Sequence, residues 1–404
     1  MPRVPAPMRA KALAYLAALW LLSALPAEIA VAKGTPAGRD CEWFAGDLHV
    51  HTTYSHDSYG GPSDDNTGPE EAHTWGWSVG EQAALAEARG LDFIAITDHN
   101  DVRSVSDEAY GGRSLEWIPG YENSLKGHSQ MLGTTKLLKN RKGDLENVRR
   151  LAREMHSLGG IFQINHPSDR EWIKAYGNAI VPDSIEVWNL GPWFYQPPLP
   201  AANDNDFSLR WYDSFLDRGY QVTATGGSDN HWRSVTPLAG VGQPTTWVCA
   251  RKRQPRAILE GIRRGRTFIT HHPPAHEWRA LMIGIDSDRD FVFEKLMGDT
   301  VPAGSGLDVY AWGGMGGNRI RLVGDGSQTL AEWDNGGFHE FGIPKGVSWV
   351  RAELYQEDAK DQRPLLQPLC DLLSQVAELF DQPEATFCRN RLVMVALTSP
   401  IYVR

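Results

Sequence analysis

Residues 46–60 read GDLHVHTTYSHDSYG. In an extended chain alternate residues share a face, so His49 and His51 aim their imidazoles at one place from the end of a short strand. Such a pair also occurs on ordinary strand faces, and its meaning depends on the rest of the chain. Four further apolar stretches end in side chains of the same kind. FIAITDHN reaches His99, WIPGYE reaches Glu122, GIFQINHP reaches His166, and QVTATGGSDNH reaches Asp229 and His231.

Helical patterns lie between these stretches. Residues 79–89 read as a helix stopped by Gly90 before DFIAIT. In 144–158, Leu145, Val148, Leu151 and Met155 form one stripe, and Gly159-Gly160 ends it before GIFQIN. The strand SIEVW, a helix at 207–217, the strands YQVTAT and TTWVCA, a helix at 255–264 and the strand RTFIT follow. This alternation predicts an α/β fold with a parallel sheet, and about seven such units suggest a closed or nearly closed barrel. Its site is expected at the C-terminal strand ends, where the ligand-type residues fall. Between 58 and 77 a Gly/Pro/Asp-rich loop with Trp75 and Trp77 is expected to cover that rim.

Beyond HHPPAHEW the pattern changes to LMIGI, LDVYAW, RIRLVG, WVRAEL and LVMVALTSPIYV, broken by Gly pairs, which predicts an antiparallel β domain. Residues 356–391 interrupt it with a short helix near 369–379 and two cysteines. The expected division is a barrel over 41–276 and a sandwich-like β domain over 277–404.

The chain has 404 residues, 41% hydrophobic and 22% charged, an ordinary globular composition. Its first 32 residues stand apart. Arg3, Arg9 and Lys11 precede an apolar run from Ala12 to Leu25, and Ala30-Val31-Ala32 comes before Lys33, the pattern of a cleaved secretory signal. Its removal leaves 37 basic and 49 acidic residues, a net charge of −12 that argues against a nucleic-acid partner. No later stretch is apolar enough to span a membrane. The expected location is periplasmic or secreted. Export permits disulfides. Of Cys41, Cys249, Cys370 and Cys388, the expected pair is Cys370 with Cys388, and Cys249 in TTWVCA reads as a buried thiol.

Nine side chains carry the candidate chemistry: His49, His51, Asp57, His99, Glu122, His128, His166, Asp229 and His231. Imidazole with carboxylate suits zinc, manganese or iron, and nine ligands exceed what one ion takes. Two or three divalent transition-metal ions are therefore expected, with Glu122 bridging because a carboxylate can serve two ions. No Gly-x-Ser-x-Gly element follows a strand, so serine-based catalysis has no support. Asp229 is the candidate proton shuttle, and Arg103 and Arg233 are candidates for binding an anionic group.

The motifs DLHVHTTYS, ITDHN, PGYE with the following GHSQMLG, INHP and GSDNH, in this order over roughly residues 45–270, resemble the polymerase and histidinol phosphatase (PHP) superfamily. EGIRRGRTFIT and ALTSPIYV are similar to an exported branch related to carbaryl hydrolase. The resemblance implies a distorted seven-stranded βα barrel with a three-metal centre. It implies His49, His51 and Asp229 on the first ion, His128 and His166 on the second with Glu122 between them, and Asp57, His99 and His231 on the third. The family places one third-site ligand five or six residues after the second His, which here means His56 or Asp57; Asp57 is our choice. The expected function is hydrolysis of a small phosphate ester by a metal-bridged hydroxide. A carbamate or carboxylic ester is the alternative substrate, and a non-catalytic surface binding protein is the alternative of another class.

Overall fold

The computed structural model describes residues 37–58, 76–140, 142–190, 205–231, 240–276, 279–313, 318–357 and 392–404. The proposed signal, nearly all of the loop at 58–77, Arg233, Cys370 and Cys388 lie outside the described residues. Residues 37–404 form one compact unit.

In chain order the first half comprises β1 (Glu42–Val50), α1 (Val79–Ala88), β2 (Phe93–Ile96), β3 (Glu116–Asn123), β4 (Ser129–Leu132), α2 (Leu145–Ser157), β5 (Ile161–Ile164), α3 (Glu171–Tyr176), β6 (Ser184–Asn189), α4 (Asn205–Leu216) and β7 (Thr223–Gly227). Local chemistry starts the helices where the sequence suggests. Ser78 and Glu81 form a reciprocal capping box on α1, and the Asp144 side chain accepts from the Asn147 N–H at the start of α2. The stripe of α2 buries Val148, Leu151 and Met155, which join Phe162 and Ile164 of β5 in one core.

The ladder runs β1-β2-β3-β4-β5-β6-β7. It departs from the all-parallel expectation in its middle, because β4 pairs antiparallel with both β3 and β5. The segment SQML is too short to declare itself as a strand, and it follows β3 through a hairpin-like reversal instead of a helix. A closed barrel is not formed by this ladder. Just past β7 the chain meets β1 at the isolated bridge between Val50 and Asn230, where the His51 N–H donates to the Asn230 carbonyl and the Asp229 N–H to the His49 carbonyl. Side-chain hydroxyls satisfy much of the remaining edge of β7. Thr246 Oγ1 contacts both N and O of Gly226, Ser399 Oγ accepts from the Ala224 N–H, and Thr267 Oγ1 donates to the Ala224 carbonyl.

The strands β8 (Thr245–Ala250) and β9 (Thr267–Thr270), joined by α5 (Pro255–Arg263), also depart from the parallel expectation. Antiparallel pairing puts β8 on β1 and β9 on β8. A disulfide joins Cys41, just before β1, to Cys249 of β8, so Cys249 is not the free buried thiol that the sequence suggests. Composition alone misleads here: cysteine is apolar enough to read as core, and its partner lies 208 residues away.

The later strands are β10 (Arg279–Ile285), β11 (Gly306–Gly313), β12 (Asn318–Gly324), β13 (Gln328–Trp333), β14 (Gly337–Gly342), β15 (Trp349–Glu357), β16 (Leu392–Thr398) and β17 (Ile401–Val403). β16 pairs antiparallel with β9, so the sheet that carries β1 continues into the C-terminal strands. β10, β11 and β14 belong to a separate sheet, and Leu281, Ile283 and Val309 from it share a core with Ile320, Leu322, Val350 and Leu354.

Candidate metal centre

All nine candidate ligands meet at the C-terminal ends of β1, β2, β3, β5 and β7 and in the turns that follow. Glu122, fully buried on β3, is the hub. Its Oε1 lies 3.1 Å from His128 Nδ1 and 3.2 Å from His166 Nε2, and its Oε2 lies 3.0 Å from His99 Nδ1 and 3.4 Å from Nε2 of both His49 and His51. Asp229 Oδ1 stands 3.3 Å from His49 Nε2 and 3.2 Å from His51 Nε2. Asp57 Oδ2 stands 3.1 Å from His99 Nε2 and 3.0 Å from His231 Nε2.

Four sets of ligand atoms each converge within 4.8 Å: His51, Asp57, His99 and His231; His49, His166 and Asp229; His49, His51 and Glu122; His99, Glu122 and His128. The first contains the trio expected around a third ion. His56 is in none of them; its ring lies 4.9 Å from that of His99, with Asp57 the residue that reaches the cluster.

The outer nitrogens decide what the inner ones offer. His49 Nδ1 is 2.9 Å from Glu186 Oε1, and His166 Nδ1 is 2.8 Å from Asp169 Oδ2. A carboxylate only accepts, so both Nδ1 atoms carry the proton. For His51 the partner is Ser55 Oγ at 2.8 Å. The single Ser55 proton goes to Asp98 Oδ1 at 3.0 Å, while Ser55 Oγ also accepts from the His99 N–H, so His51 Nδ1 is again a donor. In their neutral forms all three rings then present an Nε2 lone pair inward. The lone pairs of His49 and His51 face each other at 3.0 Å, an arrangement that calls for a proton or a cation between them.

Charge points the same way. Asp47, Asp57, Asp98, Glu122, Asp169, Glu186 and Asp229 surround the site, and no Lys or Arg among the described residues forms an ion pair with any of them. Burial disfavours ionised Glu122, but His49, His128 and His99 outweigh it and hold the carboxyl well below its usual range. Burial is likewise outweighed at Asp229 by His49, His231 and His51, and at Asp57 by its bonds to His231 and His99. Burial works against a charged His51 too, yet Asp229 and Glu122 raise it to about 9, whereas at His99 burial prevails and lowers it to about 4. Glu122 Oε2, Asp229 Oδ1 and His99 Nδ1 are buried without a hydrogen bond, although charged partners stand near them. Atoms that converge without bonding one another fit the coordination of divalent cations.

Some of the backbone strain lies here. Asn100, Leu190 and Asp229, none of them glycine, have φ of 50°, 55° and 51°, each following or ending a stretch that supplies the site. Arg103 stands apart from the cluster. Its guanidinium is 2.6 Å from Asp101 and lies over the Tyr54 ring at 5.5 Å. The His271 and His272 rings lie 4.0 Å apart, tilted by 36°, without joining any ligand set. Sequence reasoning missed Asp47, Ser55, Asp98, Asp169 and Glu186, which hold the ligands. Asp47 accepts from the N–H groups of His49, Ser228 and Gly242, tying β1 to the turn that carries Asp229. The one available signal was proximity, since four of the five lie within four residues of a ligand.

A family model described as a protein of unknown function, DUF3604, matches residues 39–157, a stretch that holds six of the nine ligands. No curated protein matches. Among solved structures, a two-domain protein from Bacteroides vulgatus, described as containing a predicted PHP-like metal-dependent phosphoesterase, is similar at 16% identity, with 80% of this chain and 93% of that one covered and a TM-score of 0.40. At that score the likeness assigns neither activity nor substrate.

Proposed function

We propose that this chain is an exported, divalent-metal-dependent hydrolase of phosphate esters. The observation that carries the reading is the set of five imidazoles around Glu122, four of them buried, with carboxylates on either side and no Lys or Arg among the described residues paired with them. The motif resemblance to the PHP superfamily supports it, and so does the spread of the ligands over four overlapping sets, since a phosphoryl group brings several oxygens for more than one cation to neutralise.

His49, His51 and Asp229 are assigned to one ion, His128 and His166 with bridging Glu122 to a second, and Asp57, His99 and His231 to a third. Bound divalent cations of the zinc, manganese or iron type supply Lewis acidity and lower the pKa of water. The chain's own residues do the rest. Glu122 keeps two ligand sets at a fixed separation. Asp229 stays ionised beside His49 and His51, and we assign it to take the proton of an attacking water and return it to the leaving oxygen. The Arg103 guanidinium, already engaged by Asp101, is assigned to the outer edge of an anionic substrate, together with Arg233.

The alternative substrate, a carbamate or carboxylic ester, draws on EGIRRGRTFIT and ALTSPIYV. Those stretches build α5, β9, β16 and β17, where Ile262, Ile269, Leu397 and Ile401 are core residues and Thr267 meets Ser399 at 2.7 Å. Their likeness therefore bears on packing rather than on substrate. One metal-loaded preparation assayed with nitrophenyl phosphate, bis-nitrophenyl phosphate and a naphthyl carbamate separates the two readings. We expect turnover of a phosphate ester; turnover of the carbamate alone overturns the choice. A chelator-free preparation with no stoichiometric transition metal, and none on reconstitution, favours a non-catalytic binding protein. Support for export comes from the Cys41–Cys249 disulfide, a bond that persists in oxidising compartments.

A further inference from the structure

β6 contributes none of the nine ligands, yet its Glu186 is fully buried against them. Oε1 accepts from His49 Nδ1 at 2.9 Å, and Oε2 accepts from the His166 backbone N–H and from Asn189 Nδ2, both at 3.0 Å. The second hydrogen of the Asn189 amide is directed at Asp229 Oδ2, 3.3 Å away. Asn189 is itself held from α4, where Asn205 Oδ1 accepts from its N–H and Asn205 Nδ2 donates to its carbonyl. Glu186 and Asn189 thus grip ligands from three strand ends: the His49 ring, the His166 main chain and the Asp229 carboxylate. The space for this contact depends on Gly227, where a Cβ would stand 2.4 Å from His49 Cβ and 2.6 Å from Glu186 Oε1.

We propose that Glu186, backed by Asn189, is the positioning residue that fixes the His49 tautomer and couples the first and second metal sites. This rests on the metal-binding reading above. Two accepting oxygens are required, because donors approach both ends of the carboxylate. An amide cannot replace it. With its oxygen toward His49, its NH2 meets the N–H of His166 and the NH2 of Asn189; turned round, it presents a donor to His49 Nδ1 and selects the tautomer whose proton sits on Nε2, where the ion would be.

The test is Glu186→Gln, with Asn189→Ala beside it, and zinc affinity measured by chelator competition without any substrate. Glu186→Gln should bind zinc about 10–100-fold more weakly, the range for loss of such a partner. It should also lose the His49 Nδ1–H resonance in zinc-loaded protein labelled with 15N-histidine, while the protein remains folded in chelator. Asn189→Ala should weaken zinc less and keep that resonance. Should Glu186→Gln fail to fold, Asn189→Ala decides, with weaker zinc binding at unchanged melting in chelator as the expected result. Wild-type affinity in folded Glu186→Gln, or in Asn189→Ala if only that variant folds, overturns the proposal. A wild-type protein that binds no zinc overturns the metal reading and this role with it, whereas zinc binding without esterase activity sinks only the assigned reaction.

Discussion

Glu122 separates a coupled cluster from a set of independent histidines. Its two oxygens lie within 3.4 Å of five imidazoles, so one charge serves every ligand group. Glu122→Gln keeps the shape and removes the charge where cation repulsion is greatest. We expect at least one metal ion to be lost and the rate to fall about 100-fold or more, the scale on which a missing electrostatic partner acts in a site of this kind. Asp57→Asn should weaken only the ion assigned to His99 and His231, and His56→Asn should change little, since His56 lies against the His99 ring outside every ligand set. Metal content and rate for the three variants check this. A full metal complement with a normal rate in Glu122→Gln removes the bridge from the mechanism.

Among the elements, β1 bears the most. It carries His49 and His51, pairs with β2 on one side and β8 on the other, and is stapled to β8 through Cys41 and Cys249. Closing a loop of that length restrains the unfolded chain strongly, so Cys249→Ser should cost about 2–4 kcal/mol. Denaturant unfolding of oxidised wild type against the variant measures it, and a difference within error would show that strand pairing alone holds β1 in place. Gly46 has a similar structural reason for being small: a Cβ there would lie 2.3 Å from the Phe93 ring on β2.

At the scale of the molecule the site gathers charge from strand ends that are distant in sequence, so protonation and stability are linked. Without metal, burial opposes charge on His49, His51 and His166, but neighbouring carboxylates raise all three above the ordinary imidazole range. Their contribution is complete below about pH 6.5 and is lost as pH rises through the folded values, about 9 for His51. Asp57, Glu122 and Asp229, held low, contribute above about pH 4 and lose that contribution as pH falls. His99, lowered to about 4, acts against the other rings. Chelated protein should therefore melt at a lower temperature at about pH 8 than at about pH 6. Metal affinity should run the other way, because protons compete with cations for Nε2. Melting curves and chelator-competition titrations at both values test the pair of signs; a chelated protein more stable at about pH 8 contradicts the ion pairing described here. A second buried charge group joins the two halves of the chain. Arg351 of β15 meets Asp213 of α4 at 2.9 Å and Glu353 at 2.6 Å, beneath a core that Trp188, Phe215, Trp349 and Leu397 share.

The candidate ligands and most strands and helices were legible in the sequence because both signals are local. An apolar run ending in His or Asp places a ligand at a strand end, and a 3.6-residue stripe with a cap places a helix. The helices expected at 79–89, 144–158, 207–217 and 255–264 appear within two residues of those bounds. Pairing is not local. The reversal of β4, the antiparallel seating of β8, the isolated bridge from Val50 to Asn230 and the Cys41–Cys249 bond depend on which strands meet, and a strand's residues read alike in either direction. The same holds for Glu186. In SIEVW it reads as an ordinary polar residue, and only the approach of β1, β5 and β7 turns it into the carboxylate that holds His49, because a hydrogen bond between residues 137 positions apart exists only once the chain has folded.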